Sequence, residues 1–177
     1  FDNIHSDLVY DVFNEFFKYP KSVCEVLTDI CCHENRVPQG GLTSSYLASL
    51  VLHDIEPTVV KRLLRKGLHY TRLVDDITVS SKIHDYDFSF AKKIITDMLY
   101  EKDFPINEQK TRIEREASTP LCVHGLRICF NEPRLASHEV KNIRAAVKNI
   151  EIVAMERHYR TTHPYRKDYN RCLGRVN

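Results

Sequence analysis

The chain reads as blocks of apolar residues whose spacing changes from helical to alternating and back. Ser6 as a cap, with Leu8, Val12, Phe13, Phe16 and Phe17 on one face, predicts a helix to about Lys18. Pro20 then restarts a second helix carrying Val23, Val26, Leu27 and Ile30. After a Pro-Gln-Gly-Gly turn, Tyr46, Leu47, Leu50, Val51 and Ile55 return at helical spacing until Pro57 breaks or restarts the run. Two β-rich segments, 68–74 and 77–81, predict a hairpin whose halves meet at Asp75 and Asp76. Residues 87–102 form a further amphipathic helix with Phe88, Ala91, Ile95, Met98 and Leu99 inward, and FPINEQKTRIERE follows as a loop into a strand. Two short strands are expected around Gly125 and an Asn131–Pro133 turn. Last, Ser137 caps a long helix to about Arg157, with Val140, Ile143, Val147, Ile150 and Ala154 as its seam and Lys141, Arg144 and Lys148 one residue round from it. The pattern predicts an α+β body followed by a helical appendage beginning near residue 135.

Composition bounds this picture. A chain of 177 residues with 42% hydrophobic residues can build an ordinary core. No apolar run approaches the roughly 20 residues that cross a bilayer, and FDNIHSDLVY lacks the basic and apolar regions of a signal peptide. A soluble, cytoplasmic protein is expected. Phe1 stands where a start Met would, which reads as a piece of something longer. Cys24, Cys31, Cys32, Cys122, Cys129 and Cys172 contain no Cys-x-x-Cys pair, so reduced and mostly buried thiols are expected, with His33 and His124 as incidental neighbours rather than zinc ligands. The net charge is +2, but residues 135–177 hold nine Lys/Arg against four acids, leaving the rest of the chain mildly acidic. That asymmetry suits a protein that holds a cation in one part and a polyanion with another.

Asp75 and Asp76 are the chemical anomaly. Adjacent carboxylates within a half-buried strand run repel, and a cation is the natural compensation. Successive strand residues point to opposite faces, so both can serve one site only if the backbone turns at the pair. Magnesium takes hard oxygen ligands, commonly one or two carboxylates with substrate phosphates completing the shell. The plainer reading is a pair of solvated turn residues. Against it, two-residue hairpin loops prefer Asn-Gly or Asp-Gly.

The order VPQGGLTSSYLASLVL, YTRLVDDITVSS, INEQKTRI, VHGLRI resembles the reverse transcriptases of bacterial retrons and their relatives in phage defence and group II introns. The resemblance covers nearly the whole chain. It implies a right-hand polymerase palm, an antiparallel sheet backed by helices, over residues 1–134, lacking its leading strand and the fingers, and the start of a helical thumb over 135–177. Pro38, Gln39, Gly40, Gly41 and Ser44, with Thr43, would help form the floor for template and incoming nucleotide. Asp75 and Asp76 would bind catalytic magnesium, two ions with manganese as a substitute. Asn107, Lys110 and Thr111 would lie near the triphosphate, Lys110 as proton donor to the leaving pyrophosphate. Val123, Gly125 and Leu126 would form the primer grip. Lys141, Arg144 and Lys148, joined by Arg157, Arg160, Arg166, Lys167 and Arg171, would hold the nucleic-acid backbone, with Tyr159, Tyr165 and Tyr169 available to stack on bases or pack on the body.

Two departures from the family pattern carry expectations of their own. Leu73-Val74 stands where the family usually has Tyr-Ala before the aspartates. The third metal carboxylate is expected a few residues upstream of Phe1, since Phe1-Asp2-Asn3-Ile4 resembles the tail of the motif that carries it. The implied activity is RNA-directed DNA synthesis in a retron or defence system. Its implied partners are a template or noncoding RNA, deoxynucleotides, the DNA product and, open to it, an effector protein and an oligomer, with no membrane. Template-independent or protein-primed DNA synthesis, and a catalytically silent RNA- or protein-binding scaffold, are the competing readings.

Overall fold

The computed structural model describes residues 2–115, 120–129, 132–156, 160 and 162–176. The chain divides into two compact units, Phe1–Ile113 and Glu114–Asn177, the first ending ahead of residue 134. Mixed helices and small antiparallel sheets make it an α+β protein. No helix among the described residues is long and apolar enough to cross a membrane.

The first unit begins with α1 (Ser6–Asp11), which passes at once into a wide π-helical turn, Val12–Phe16. His5, not Ser6, occupies the cap position, and the Ser6 hydroxyl donates to Asp7 instead of to the helix start. The wide turn places an extra residue in the helical circuit and so shifts the register. Val9, Val12 and Phe13 stay in the core, while Phe16 and Phe17 come to the surface and pack edge to face, 5.0 Å between centroids. Lys18, at φ 56°, ends the element, and α2 (Lys21–Cys31) starts after Pro20 as expected.

The inward face of α2 corrects the sequence reading. Cys24 and Thr28 are buried and Leu27 and Cys31 pack beside them, whereas Val26 and Ile30 are 57% and 73% exposed. Small side chains let the helix approach its neighbours closely, and α2 lies against α1 and the π turn. Helix α3 (Ser44–Leu50) buries Leu47 and Ala48 but exposes Tyr46, and Pro57 restarts the chain in the first turn of α4 (Glu56–Leu64).

Leu68, fully buried, leads into β1 (His69–Leu73), which pairs with β2 (Asp76–Ser80). Helix α5 (Ser89–Tyr100) turns Ala91, Ile94 and Met98 into the same core as Val9, Val12, Leu47, Leu63 and Leu68, and packs on α4. The expected strand after α5 does not form among residues 104–115, which run through turns and irregular backbone.

The second unit holds a three-stranded sheet in the order β3 (Cys122–Val123), β4 (Leu126–Cys129), β5 (Glu132–Leu135). Pro133 lies within β5 and not in a turn, and Asn131 falls outside the described residues. Helix α6 (Ser137–Glu156) packs against α7 (His163–Val176). The half-buried positions of α6 include Val140, Ile143, Val147, Ile150 and Ala154, the expected seam. Cys24 and Cys172 are buried thiols, and Cys31, Cys32 and Cys122 are half-buried ones.

Candidate active site

The hairpin register pairs Leu73 with Asp76, so the loop is only Val74 and Asp75. Asp75 occupies the turn and Asp76 opens β2, both exposed. Val74 has φ 57°, an uncommon conformation for a β-branched residue, and its side chain packs against the core. Along β1 burial alternates, so Tyr70 and Arg72 face inward while His69, Thr71 and Leu73 face out. The tip is therefore turned sharply at the aspartates and anchored on its inner side.

The anchor is Arg72. Its side chain is 8% exposed and meets Glu56, at 18%, through two parallel bonds: Nε to Oε1 at 2.6 Å and Nη2 to Oε2 at 2.7 Å. The Tyr70 hydroxyl also donates to Glu56 Oε1, at 2.7 Å. Burial pushes the Glu56 carboxyl up, but the Arg72 and Tyr70 hydrogen bonds outweigh it and hold the group below the usual glutamate range. The bond to Glu56 holds Arg72 above its ordinary value, and burial followed by Glu56 raises Tyr70 well above the usual phenol range.

These shifts fix a pH dependence. A folded-state glutamate with a depressed pKa binds fewer protons than its unfolded counterpart, so its contribution is present above the ordinary glutamate value and is lost as pH falls through the folded one. Unfolding midpoints measured across the acid range should therefore fall more steeply for the native protein than for Glu56→Gln. Parallel curves would contradict the assignment.

The Pro-Gln-Gly-Gly turn lies just before α3. Gly40 has φ 86°, and a Cβ at Gly41 would sit 2.6 Å from Ser44 Oγ, so any side chain there would force Ser44 to shift. The Ser44 hydroxyl donates to the Pro38 carbonyl at 2.7 Å and the residue is buried. Ser44 thus holds the turn from behind, its hydroxyl engaged with the Pro38 carbonyl. Gln39 and Gly40 are exposed and Pro38 and Gly41 partly so. Arg72 links this segment to the aspartates, donating to the carbonyls of Ala48 and Ser49 in α3 at 3.1 and 2.8 Å.

Asn107 organises the turn that carries Lys110: its side-chain oxygen accepts from the amides of Gln109 and Lys110 at 3.1 and 3.2 Å, and its carbonyl accepts from the Thr111 hydroxyl at 3.0 Å. Lys110 itself is exposed. In the second unit, His124 and Gly125 both adopt positive φ, 49° and 78°, as a two-residue hairpin loop between β3 and β4 requires, and Leu126 opens β4. Lys141, Arg144 and Lys148 are exposed along α6, and Arg160, Arg166, Lys167 and Arg171 are exposed too. Arg157 and Tyr159 lie outside the described residues, as does the Arg175 side chain.

Two adjacent exposed carboxylates are hard oxygen donors and fit part of a magnesium shell, leaving positions for substrate phosphates and water. Among the described residues no group of three or more His, Cys, Asp or Glu side chains could hold a metal ion.

Arg72 and Glu56 are the residues the sequence reading missed. The signal was available in the alternation of β1, because a charged residue in phase with core-facing Tyr70 and Leu68 calls for a buried partner.

No protein-family model matches the chain. It is 53% identical over 177 residues to the retron Ec48 reverse transcriptase of Escherichia coli, covering 100% of this chain and 43% of that one. It is 36% identical over 176 residues to the retron Se72 reverse transcriptase of Salmonella heidelberg, covering 95% and 45%. Identity to the retron Ec86 reverse transcriptase of Escherichia coli is 30% over 155 residues, covering 85% and 46%. The chain thus spans less than half the length of the curated relatives it matches. Along its whole length, the chain is similar to the retron Ec48 reverse transcriptase.

Proposed function

We propose that the protein is an RNA-directed DNA polymerase working with a noncoding RNA in a retron, and that residues 1–134 belong to its polymerase palm and residues 135–177 to the start of its thumb. The observation that carries the reading is the hairpin tip: adjacent, exposed Asp75 and Asp76 on a turn whose inner side is pinned to two helices. Full-chain similarity to proteins named retron reverse transcriptases supports it.

Asp75 and Asp76 would hold magnesium, with manganese as a substitute. Such ions supply a lowered pKa at the primer hydroxyl and charge stabilisation on the departing pyrophosphate. The exposed backbone at Gln39 and Gly40 allows close approach of a nucleotide or template, and Gly41 with Ser44 keeps that turn in shape. Lys110, displayed by the Asn107 turn, would give a proton to the leaving group. Gly125 and Leu126, at a tight hairpin, would contact the primer end, and the basic edge of α6 would hold phosphates.

The test is incorporation of labelled deoxynucleotides by the full-length protein with magnesium and its co-purified RNA, before and after ribonuclease treatment. RNA-dependent incorporation is expected. Incorporation that survives complete RNA removal would replace this reading with template-independent synthesis, and none under any condition would leave the silent scaffold.

Reversing two charges on α6 tests the phosphate contacts separately. Lys141→Glu with Arg144→Glu should lower nucleic-acid affinity at low salt and reduce the slope of log affinity against log salt by about two. Both side chains are exposed, so the melting temperature should barely move. Unchanged affinity and slope would reject the contact.

A further inference from the structure

Arg72 is buried and carries no chemistry that nucleotidyl transfer asks for. Yet every N–H of its guanidinium is used. Nε donates to Glu56 Oε1, Nη1 to the carbonyls of Ala48 and Val74, and Nη2 to the carbonyl of Ser49 and to Glu56 Oε2. Five donors in a rigid planar fork thereby join the end of α3, the first residue of α4 and the hairpin tip.

The bond to Val74, at 2.8 Å, has particular consequences. That carbonyl belongs to the peptide joining Val74 to Asp75, so fixing its oxygen fixes the plane from which Asp75 departs. Val74 is also the residue at positive φ, a conformation that a β-branched side chain holds only when its surroundings impose it. Glu56 completes the device electrostatically. A lone guanidinium beneath the tip would oppose a divalent cation above it, and the two-point carboxylate contact cancels that charge.

We propose that Arg72, clamped by Glu56, is a positioning residue for the aspartate pair, imposing the turn at Val74 that aims the carboxylates and fixing that turn against α3. The inference rests on the reading of Asp75 and Asp76 as metal ligands. It separates Arg72 from an ordinary stabilising ion pair, because a pair that only stabilised the fold would leave metal affinity unchanged in any variant that still folds.

The experiment compares the full-length native protein with Arg72→Lys, Glu56→Gln and Asp75→Ala. Folding is followed by circular dichroism, Mn2+ binding by electron paramagnetic resonance, and rate by magnesium-dependent incorporation. Lysine cannot reproduce the fork, and glutamine keeps the shape of Glu56 while removing its charge. Both variants are expected to bind Mn2+ about tenfold more weakly and to need more magnesium for half-maximal rate, as loss of groups that orient metal ligands commonly does. The KM for deoxynucleotide at saturating magnesium should stay within about twofold. Adding Val74→Gly to Arg72→Lys should restore part of the Mn2+ affinity, since glycine takes positive φ without help.

Native Mn2+ affinity in the folded variants overturns the proposal, and Glu56→Gln decides alone should Arg72→Lys not fold. Native Mn2+ affinity in Asp75→Ala would instead remove the metal-ligand reading beneath it. Weakening in Asp75→Ala with no change in the other two variants would leave that reading standing and reject only the clamp.

Discussion

Asp75→Ala is expected to reduce magnesium-dependent deoxynucleotide incorporation by about three orders of magnitude while leaving the fold intact. The size follows from what is removed: metal stabilisation of transition-state charge is worth several kcal/mol, and about 1.4 kcal/mol corresponds to a tenfold rate change. The fold should survive because Asp75 lies in the loop, outside the β1–β2 pairing that ends at Leu73 and Asp76, and its side chain is exposed. Losing one of two adjacent carboxylates also removes a repulsion. Asp75→Asn keeps shape and polarity, so an equal loss in that variant would assign the effect to charge. Native incorporation by either variant, with magnesium and RNA at saturation, would sink the catalytic role of Asp75.

Leu68→Ala should give the largest loss of stability, about 3 kcal/mol, at the upper end of what ordinary substitutions cost. Leu68 is 0% exposed, its amide donates to the Leu63 carbonyl at 3.1 Å, and it leads directly into β1. Truncation leaves a cavity in the core cluster that Leu68 shares with Val9, Leu47, Leu63 and Ile94, and rigid neighbours can only partly fill it. With a urea slope of about 1.5 kcal/mol/M, the unfolding midpoint of the first unit should fall by about 2 M. A shift under about 0.5 M would mean that the site collapses around the smaller side chain. Because the hairpin base moves with Leu68, Arg72→Lys and Leu68→Ala should be coupled and not additive.

Much of the candidate site was legible because its signals are local. Two β-rich runs meeting at a charged pair gave the β1–β2 hairpin, and the glycines at 40 and 125 marked turns that do adopt positive φ. The seam of α6 and the inward face of α5 followed from helical spacing. Faces failed where spacing permits more than one answer. On α2, of the expected Val23, Val26, Leu27 and Ile30 only Leu27 packs on the core, because Cys24, Thr28 and Cys31 lie on a stripe of smaller side chains that hydrophobicity alone does not favour. The π turn at Val12–Phe16 likewise moves Phe16 and Phe17 off a stripe that a regular helix would have kept.

The sequence by itself determined that two carboxylates stand side by side between two strands, behind a glycine turn and ahead of a basic helix. Adjacent residues and short periods suffice for that. Only the tertiary structure decided that Ser44 faces inward to hold its own turn, and that Arg72 reaches Glu56, Ala48 and Ser49 at separations of 16, 24 and 23 residues. Contacts at such range depend on how helices and hairpin pack, and the packing is what turns a pair of aspartates in a strand run into a pair displayed on a fixed tip.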